Sequence, residues 1–167
     1  MILVVLTIFI SLILDGILSN IIPMNTNFLI PLFSLVAVIL IYPFFKKNNN
    51  NYLIATSIIG FIYDIVYTDT IGLNLIIFLA MGILTKYFYS ILNINIINCL
   101  INLFLLIIFY RITTFIILYL SGYLNWSFSL LFKSIYSSII LNIGYCLISY
   151  YVLDWLSYKF KIKKMIN

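Results

Sequence analysis

The chain has 167 residues, 65 % of them hydrophobic and 8 % charged, with a formal net charge of +5 and a mean hydropathy of +1.23. A water-soluble domain carries about 25 % charged residues, so this composition cannot coat a water-facing surface, and the bilayer is its solvent. A spanning helix takes about 20 residues, so six spans would fill most of the chain and leave no room within it for a soluble catalytic domain.

Backbone groups in lipid must be satisfied internally, which leaves a helix bundle or a closed barrel. Barrel strands alternate apolar and polar residues, whereas the apolar runs here are long and unbroken, as over residues 96–110. The expected fold is an all-α integral membrane protein, a six-transmembrane-helix bundle forming a single polytopic domain over 1–167.

The first expected span covers 1–22 and closes at Pro23 with a polar turn at Asn25 and Asn27. It lacks a basic leader and a small-x-small cleavage site, so it reads as an uncleaved span. The second covers 28–45, with Pro31 near its start and Pro43 near its end, and leads into Lys46, Lys47 and an asparagine run. The third covers 52–67. Asp69 and Thr70 make a tight turn before Gly72, and the fourth span follows over 71–90. The fifth covers 94–120 after a turn at Asn93 and Asn95. Gly122, Asn125 and Ser127 mark the next loop. The sixth covers 128–158, longer than a bilayer requires, so it tilts or projects. A basic tail, 159–167, carries Lys159, Lys161, Lys163 and Lys164, expected to anchor on anionic lipid.

Lysines in short loops set orientation. Lys46, Lys47, Lys86 and the tail share one side of a six-span chain, while the loops near Asn25, Asp69 and Asn125 carry no Lys or Arg. Both termini are therefore expected in the cytoplasm of a multi-pass plasma-membrane protein. Tyr42, Tyr52, Tyr87, Trp155 and Tyr158 would form an inner aromatic belt, and Tyr67, Tyr119, Tyr123 and Trp126 an outer one.

Polar residues recur at helical spacing on four spans: Thr7, Ser11, Asp15 and Ser19; Ser57, Gly60 and Asp64; Asn95, Asn98 and Asn102, with Arg111 and Thr114 further on; and Ser134, Ser138 and Asn142. Residues four apart share a helix face, and such faces belong inside the bundle, where small and polar residues permit close approach and interhelical hydrogen bonds. The topology gathers Asp15, Asp64, Asp69, Arg111 and Lys133 in the outer half. A charge at the bilayer centre costs roughly 2.5–3.5 kcal/mol on insertion scales, and pairing Asp15 or Asp64 with Arg111 would offset it. Such a cluster locks the helices together, forms an outward-open cavity for a partner's segment, or holds a small molecule or ion.

No catalytic residue, metal or cofactor is expected. The chain has no His, so imidazole acid–base chemistry is absent. It has no Cys/His metal spacing and no Gly-rich phosphate loop. Cys99 and Cys146 lie inside apolar runs and read as small buried residues rather than a disulfide framework.

The segment Gly60-Phe61-Ile62-Tyr63-Asp64-Ile65, followed by Thr70-Ile71-Gly72-Leu73-Asn74, resembles the best-known stretch of the MreD family of rod-shape-determining membrane proteins. The opening is similar too: a late Asp in the first span (Leu14-Asp15-Gly16), then Pro23, then Pro31. The Asn-rich loop departs from the family but touches none of these motifs. The resemblance implies a non-enzymatic subunit of the bacterial elongation machinery that works with an MreC-like single-span protein, and through it with RodA, a class B penicillin-binding transpeptidase and MreB. It also implies a fold like the substrate-binding S-components of energy-coupling-factor transporters. Membrane lipid is an expected partner and nucleic acid is not. Ser11, Gly16, Pro23, Ser57, Gly60 and Gly72, with Gly82, are expected at helix-packing or docking surfaces. The competing reading is a vitamin-like substrate-binding subunit of a transporter.

Overall fold

The computed structural model describes residues 2–21, 30–45, 50–68, 72–162 and 164. Within them the chain forms six helices: α1 (Ile2–Ile21), α2 (Phe33–Ile41, continued by a 3-10 turn at Tyr42–Phe44), α3 (Asn51–Tyr67), α4 (Leu73–Ile91), α5 (Ile96–Leu120) and α6 (Phe128–Lys159). Four of them, α1, α4, α5 and α6, are long and apolar enough to cross a membrane, and α2 and α3 are shorter apolar helices.

The bundle is built around α2. Its sequence is apolar on every side, which suits a helix with no solvent or lipid face. All nine of its residues are buried, and Leu35, Val36, Ala37 and Val38 are wholly enclosed. It packs against each of the other five helices. The surrounding helices turn large apolar residues outward instead, such as Val5, Phe9 and Ile17 of α1 and Ile97, Ile101 and Leu105 of α5. That inverted surface is the one lipid favours.

The second helix begins five residues later than the apolar run that starts at Phe28. Ile30, Pro31 and Leu32 are extended and lead into α2 at Phe33. Pro31 has no N–H to donate and disfavours helix in the residue before it. At 1.5–2 Å per residue, the twelve residues from Phe33 to Phe44 rise roughly 20 Å, short of a hydrocarbon core of about 30 Å. The start of α2 is therefore inside the protein, where water cannot satisfy its N–H groups.

Two expected belt tyrosines are core residues. Tyr42 and Tyr52 are buried, Tyr42 stacks on Tyr89 with ring centroids 5.2 Å apart, and the Tyr52 hydroxyl donates to the Val38 carbonyl at 2.9 Å. Their position beside the end of α2 puts them inside the bundle rather than at its lipid rim. Tyr87, Trp155, Tyr158, Tyr119, Tyr123 and Trp126 are exposed, whereas Tyr67 is half-buried and donates its hydroxyl to the Leu12 carbonyl.

Candidate functional site

Asp15 lies on the inward stripe of α1 with Thr7 and Ser11, all three buried, while Ser19 is exposed. Its carboxylate meets the start of α2. The Phe33 N–H donates to Oδ1 at 2.6 Å and the Ser34 N–H to Oδ2 at 2.8 Å. From α6, Asn142 completes the entry: Leu32 N–H donates to its Oδ1 at 2.8 Å, and its Nδ2 donates to the Ile30 carbonyl at 3.0 Å. The Ile30 N–H donates to the Ser137 carbonyl at 3.1 Å. Leu35 and Val36 then bond to the Leu32 carbonyl. Every backbone donor from Ile30 to Val36 thus has an acceptor, as a helix start sealed from water requires.

Asp64 does the same for α4. Gly72 and Leu75 donate their N–H groups to Oδ2 at 3.0 and 3.1 Å, and Asn74 donates both its backbone N–H and its Nδ2 to Oδ1 at 3.0 Å. Thr68 Oγ1 adds a 3.2 Å bond, and the Tyr110 hydroxyl reaches Asn74 Oδ1 at 3.3 Å, extending the network to α5. A helix N-terminus carries partial positive charge, so a carboxylate placed there gains both hydrogen bonds and field. Gly72, the N-cap of α4, has φ 89°, a left-handed backbone that glycine adopts without strain.

The expected pairing of Asp15 or Asp64 with Arg111 is not formed. Among the described residues the salt bridge is Lys164–Asp154 at 2.6 Å. Arg111 donates instead from Nε and Nη2 to the Ser138 hydroxyl at 2.9 and 2.6 Å. The reason is competition: buried helix termini offer each aspartate several fixed donors close at hand. The outer cluster therefore separates into two anionic caps and a cationic cavity, where Arg111 and Lys133 line a space of about 260 Å³ between α5 and α6. Asp69 lies outside the described residues.

Gly60, Gly82 and Gly16 stand at close approaches within the chain. A Cβ on Gly60 would stand 2.4 Å from the Asn74 carbonyl oxygen, and one on Gly82 would stand 2.5 Å from Thr56 Oγ1, so both admit α3 and α4 to close contact. Gly16 faces the Tyr67 hydroxyl. Ser11 shares a 2.8 Å bond with the Tyr145 hydroxyl of α6, and Ser57 donates back to the Leu53 carbonyl at 2.9 Å. Pro23 lies outside the described residues.

Cys99 and Cys146 are buried free thiols, as their apolar surroundings imply, with their sulfurs 3.6 Å apart across α5 and α6. In the tail, Lys159 sits 4.8 Å from the Trp155 ring centroid, Lys161 is exposed, and Lys164 is held by Asp154. Lys163 lies outside the described residues. Asn95 caps α5 by accepting the Asn98 N–H at 2.9 Å rather than lining a polar face.

Neither the curated proteins nor the solved structures contain a match to the chain, so the likeness to transporter S-components has no solved counterpart. Residues 1–153 do match the family model of the rod shape-determining protein MreD, which takes in both aspartate caps, Gly60 and the whole of α1 to α5, and the chain belongs to the MreD family.

Proposed function

We propose that this protein is a non-catalytic membrane subunit of the bacterial cell-wall elongation complex, which helps determine cell shape by binding an MreC-like single-span protein. One observation carries the reading: both intramembrane aspartates engage their oxygens with helix N-termini of the same chain. They stiffen a frame, which is what a subunit acting through its shape needs. Through an MreC-like partner the role extends to RodA, a class B transpeptidase and MreB.

Gly60 of the family motif is occupied between α3 and α4, so it belongs to the frame, and another surface is the better candidate for docking. The best candidate is an apolar cleft of about 470 Å³ between α1 and α3, lined by Val5, Ile8 and Phe9 on one side and Ile54, Ala55 and Ile58 on the other. Helix association in lipid rests on van der Waals packing, and this cleft offers an apolar lining in which Ala55 is the one small residue.

The test is co-purification with an MreC-like protein. Ala55→Trp and Ile58→Trp fill the cleft from its lipid side. Weakened pull-down at unchanged protein level, with rounding of the cells, is the expected result. Undiminished pull-down together with normal shape would count against the cleft, and normal shape on depletion of the protein would count against the role itself.

A further inference from the structure

Helix α6 is the longest of the six, yet only six of its 32 residues are buried. Ser138, Asn142 and Cys146, four residues apart, mark the stripe that faces the bundle. The opposite stripe carries Tyr136, Ile140 and Ile148, all exposed. In its middle stands Gly144, two residues and so about 200° around the helix from buried Asn142. A Cβ there meets nothing within 4 Å. Glycine weakens a helix interior, and no close approach within this chain requires it here. On an outward face in lipid it leaves a notch that lets a second helix come close.

The same face carries a charge. Lys133 precedes Gly144 by three turns plus about 20°, and it is exposed. With Arg111 it lines the cavity between α5 and α6. Neither cation pairs with a carboxylate among the described residues. The Arg111 guanidinium is locked on one edge: Nε and Nη2 donate to Ser138 Oγ, whose own proton goes to the Ser134 carbonyl at 2.9 Å. Its Nη1 makes no hydrogen bond among the described residues. Unmatched positive charge at membrane depth is expensive. Asp15 and Asp64 are held by helix starts, in this copy and in any second copy, so neither supplies the counter-charge.

The walls fix how an anion can sit there. At 1.5 Å per residue Lys133 lies about 8 Å along α6 from Phe128, and Arg111 about 13 Å back from Leu120. Phe115, Leu118 and Leu130 line the cavity nearer those ends. An anion on the cations therefore has apolar atoms between itself and the membrane surface. A lipid carries its charge the other way round, and a free ion would shed its water past an apolar collar. A side-chain carboxylate on a membrane-spanning helix has the required order, because apolar turns of that helix continue toward the surface. It also matches the planar donors of a fixed guanidinium.

We infer that the outward face of α6 docks the membrane-spanning helix of another protein, which crosses closely at Gly144 and sets one Asp or Glu side chain, about three turns away, against Lys133 and Arg111. This face stands apart from the α1–α3 cleft, so the inference does not rest on the reading of the protein as an MreC partner.

The experiment measures energy transfer between the labelled full chain and a synthetic spanning peptide in phosphatidylcholine vesicles. The peptide is a leucine–alanine helix with one Glu two turns inside one end, compared with Gln at the same place. Wild-type protein binds the Glu peptide about tenfold more tightly, the worth of one charge-assisted hydrogen bond. Lys133→Gln and Arg111→Gln each shrink that ratio, and Arg111→Lys keeps part of it. Gly144→Leu enters open space and so leaves the packing of the chain intact; it weakens both peptides alike and preserves the ratio. Equal binding of the two peptides, or a wild-type ratio in both Lys133→Gln and Arg111→Gln, overturns the ionic contact. Undiminished binding by Gly144→Leu overturns the notch. Loss of the preference in acetate at constant ionic strength would give the cations to a free anion, and self-association blocked by Gly144→Leu would give the face to a second copy; either result overturns the assignment to a partner helix.

Discussion

Gly60 and Asp64 lie one turn apart on α3, and both face the first turn of α4: a Cβ on Gly60 would be 2.4 Å from the Asn74 carbonyl oxygen, while Asp64 Oδ1 accepts the Asn74 N–H at 3.0 Å. The glycine brings the helix start within reach and the aspartate seals it. The spacing of the motif is therefore the spacing of a clamp, with both groups on the same helix face.

Replacing Asp64 tests the seal. Asp64→Ala leaves the N–H groups of Gly72, Asn74 and Leu75 without their shared acceptor. A hydrogen bond to a charged group contributes about 1.5–3 kcal/mol, and a lost cap about 1 kcal/mol. These terms are not additive, but a loss of at least about 3 kcal/mol is expected. Asp64→Asn keeps one oxygen acceptor and loses less. Helical circular dichroism during thermal unfolding in detergent measures both. Equal melting of Asp64→Ala and wild type would remove the cap from the account of the fold.

Gly60→Ala and Gly144→Ala form a matched pair. At Gly60 the methyl meets backbone, which cannot rotate away, so α3 and α4 must part at about 1–3 kcal/mol. At Gly144 a Cβ meets nothing within 4 Å. That position in the middle of α6 gains about 0.5–1 kcal/mol from the higher helix propensity of alanine. The two variants should therefore move the unfolding midpoint in opposite directions.

The stripes of Asp15 and Asp64 were legible in the sequence because spacing of four fixes a helix face, and a polar face in an apolar chain must turn inward. Their partners were not. Opposite charges suggested Arg111, but the alternative acceptor role depends on α2 starting inside the bundle, and an apolar run from 28 to 45 hides that start. Pro31 was the available signal: a residue without an N–H, placed just where the helix would need one. Asn142 likewise announced an inward face without naming Leu32 and Ile30 as the groups it holds. Tyr42 and Tyr52 misled for a related reason. Tyrosine near the end of an apolar run fits an interface belt, and only the central place of α2 reveals them as core.

The entry to α2 rests on Asp15 and Asn142 together. Asp15→Ala orphans the N–H groups of Phe33 and Ser34, and Asn142→Ala orphans the N–H of Leu32 and the carbonyl of Ile30. No water replaces the lost partners within the bundle, so each change is expected to cost about 1–3 kcal/mol per stranded group. The double variant should lose less than the sum, because one fraying event releases both sets of bonds, giving a coupling of about 0.5–3 kcal/mol. Strict additivity in chemical unfolding would show that the two residues act on separate structures.

Orientation is the remaining link between the frame and the cell. Helices α4 and α6 run in the same direction, separated by α5, so Lys86 near the end of α4 and Lys159 at the end of α6 mark one side of the bundle, while the 121–127 turn marks the other. Short basic segments stay in the cytoplasm, which predicts an external turn and a cytoplasmic C-terminus. Both native cysteines are buried, so a single introduced cysteine reports its own side. Tyr123→Cys and Tyr158→Cys stand at highly exposed positions, 80 % and 87 %. A membrane-impermeant maleimide applied to intact cells should label Tyr123→Cys, and should label Tyr158→Cys only after the membrane is opened. The reverse pattern would place the basic tail outside and the Arg111 cavity in the inner leaflet.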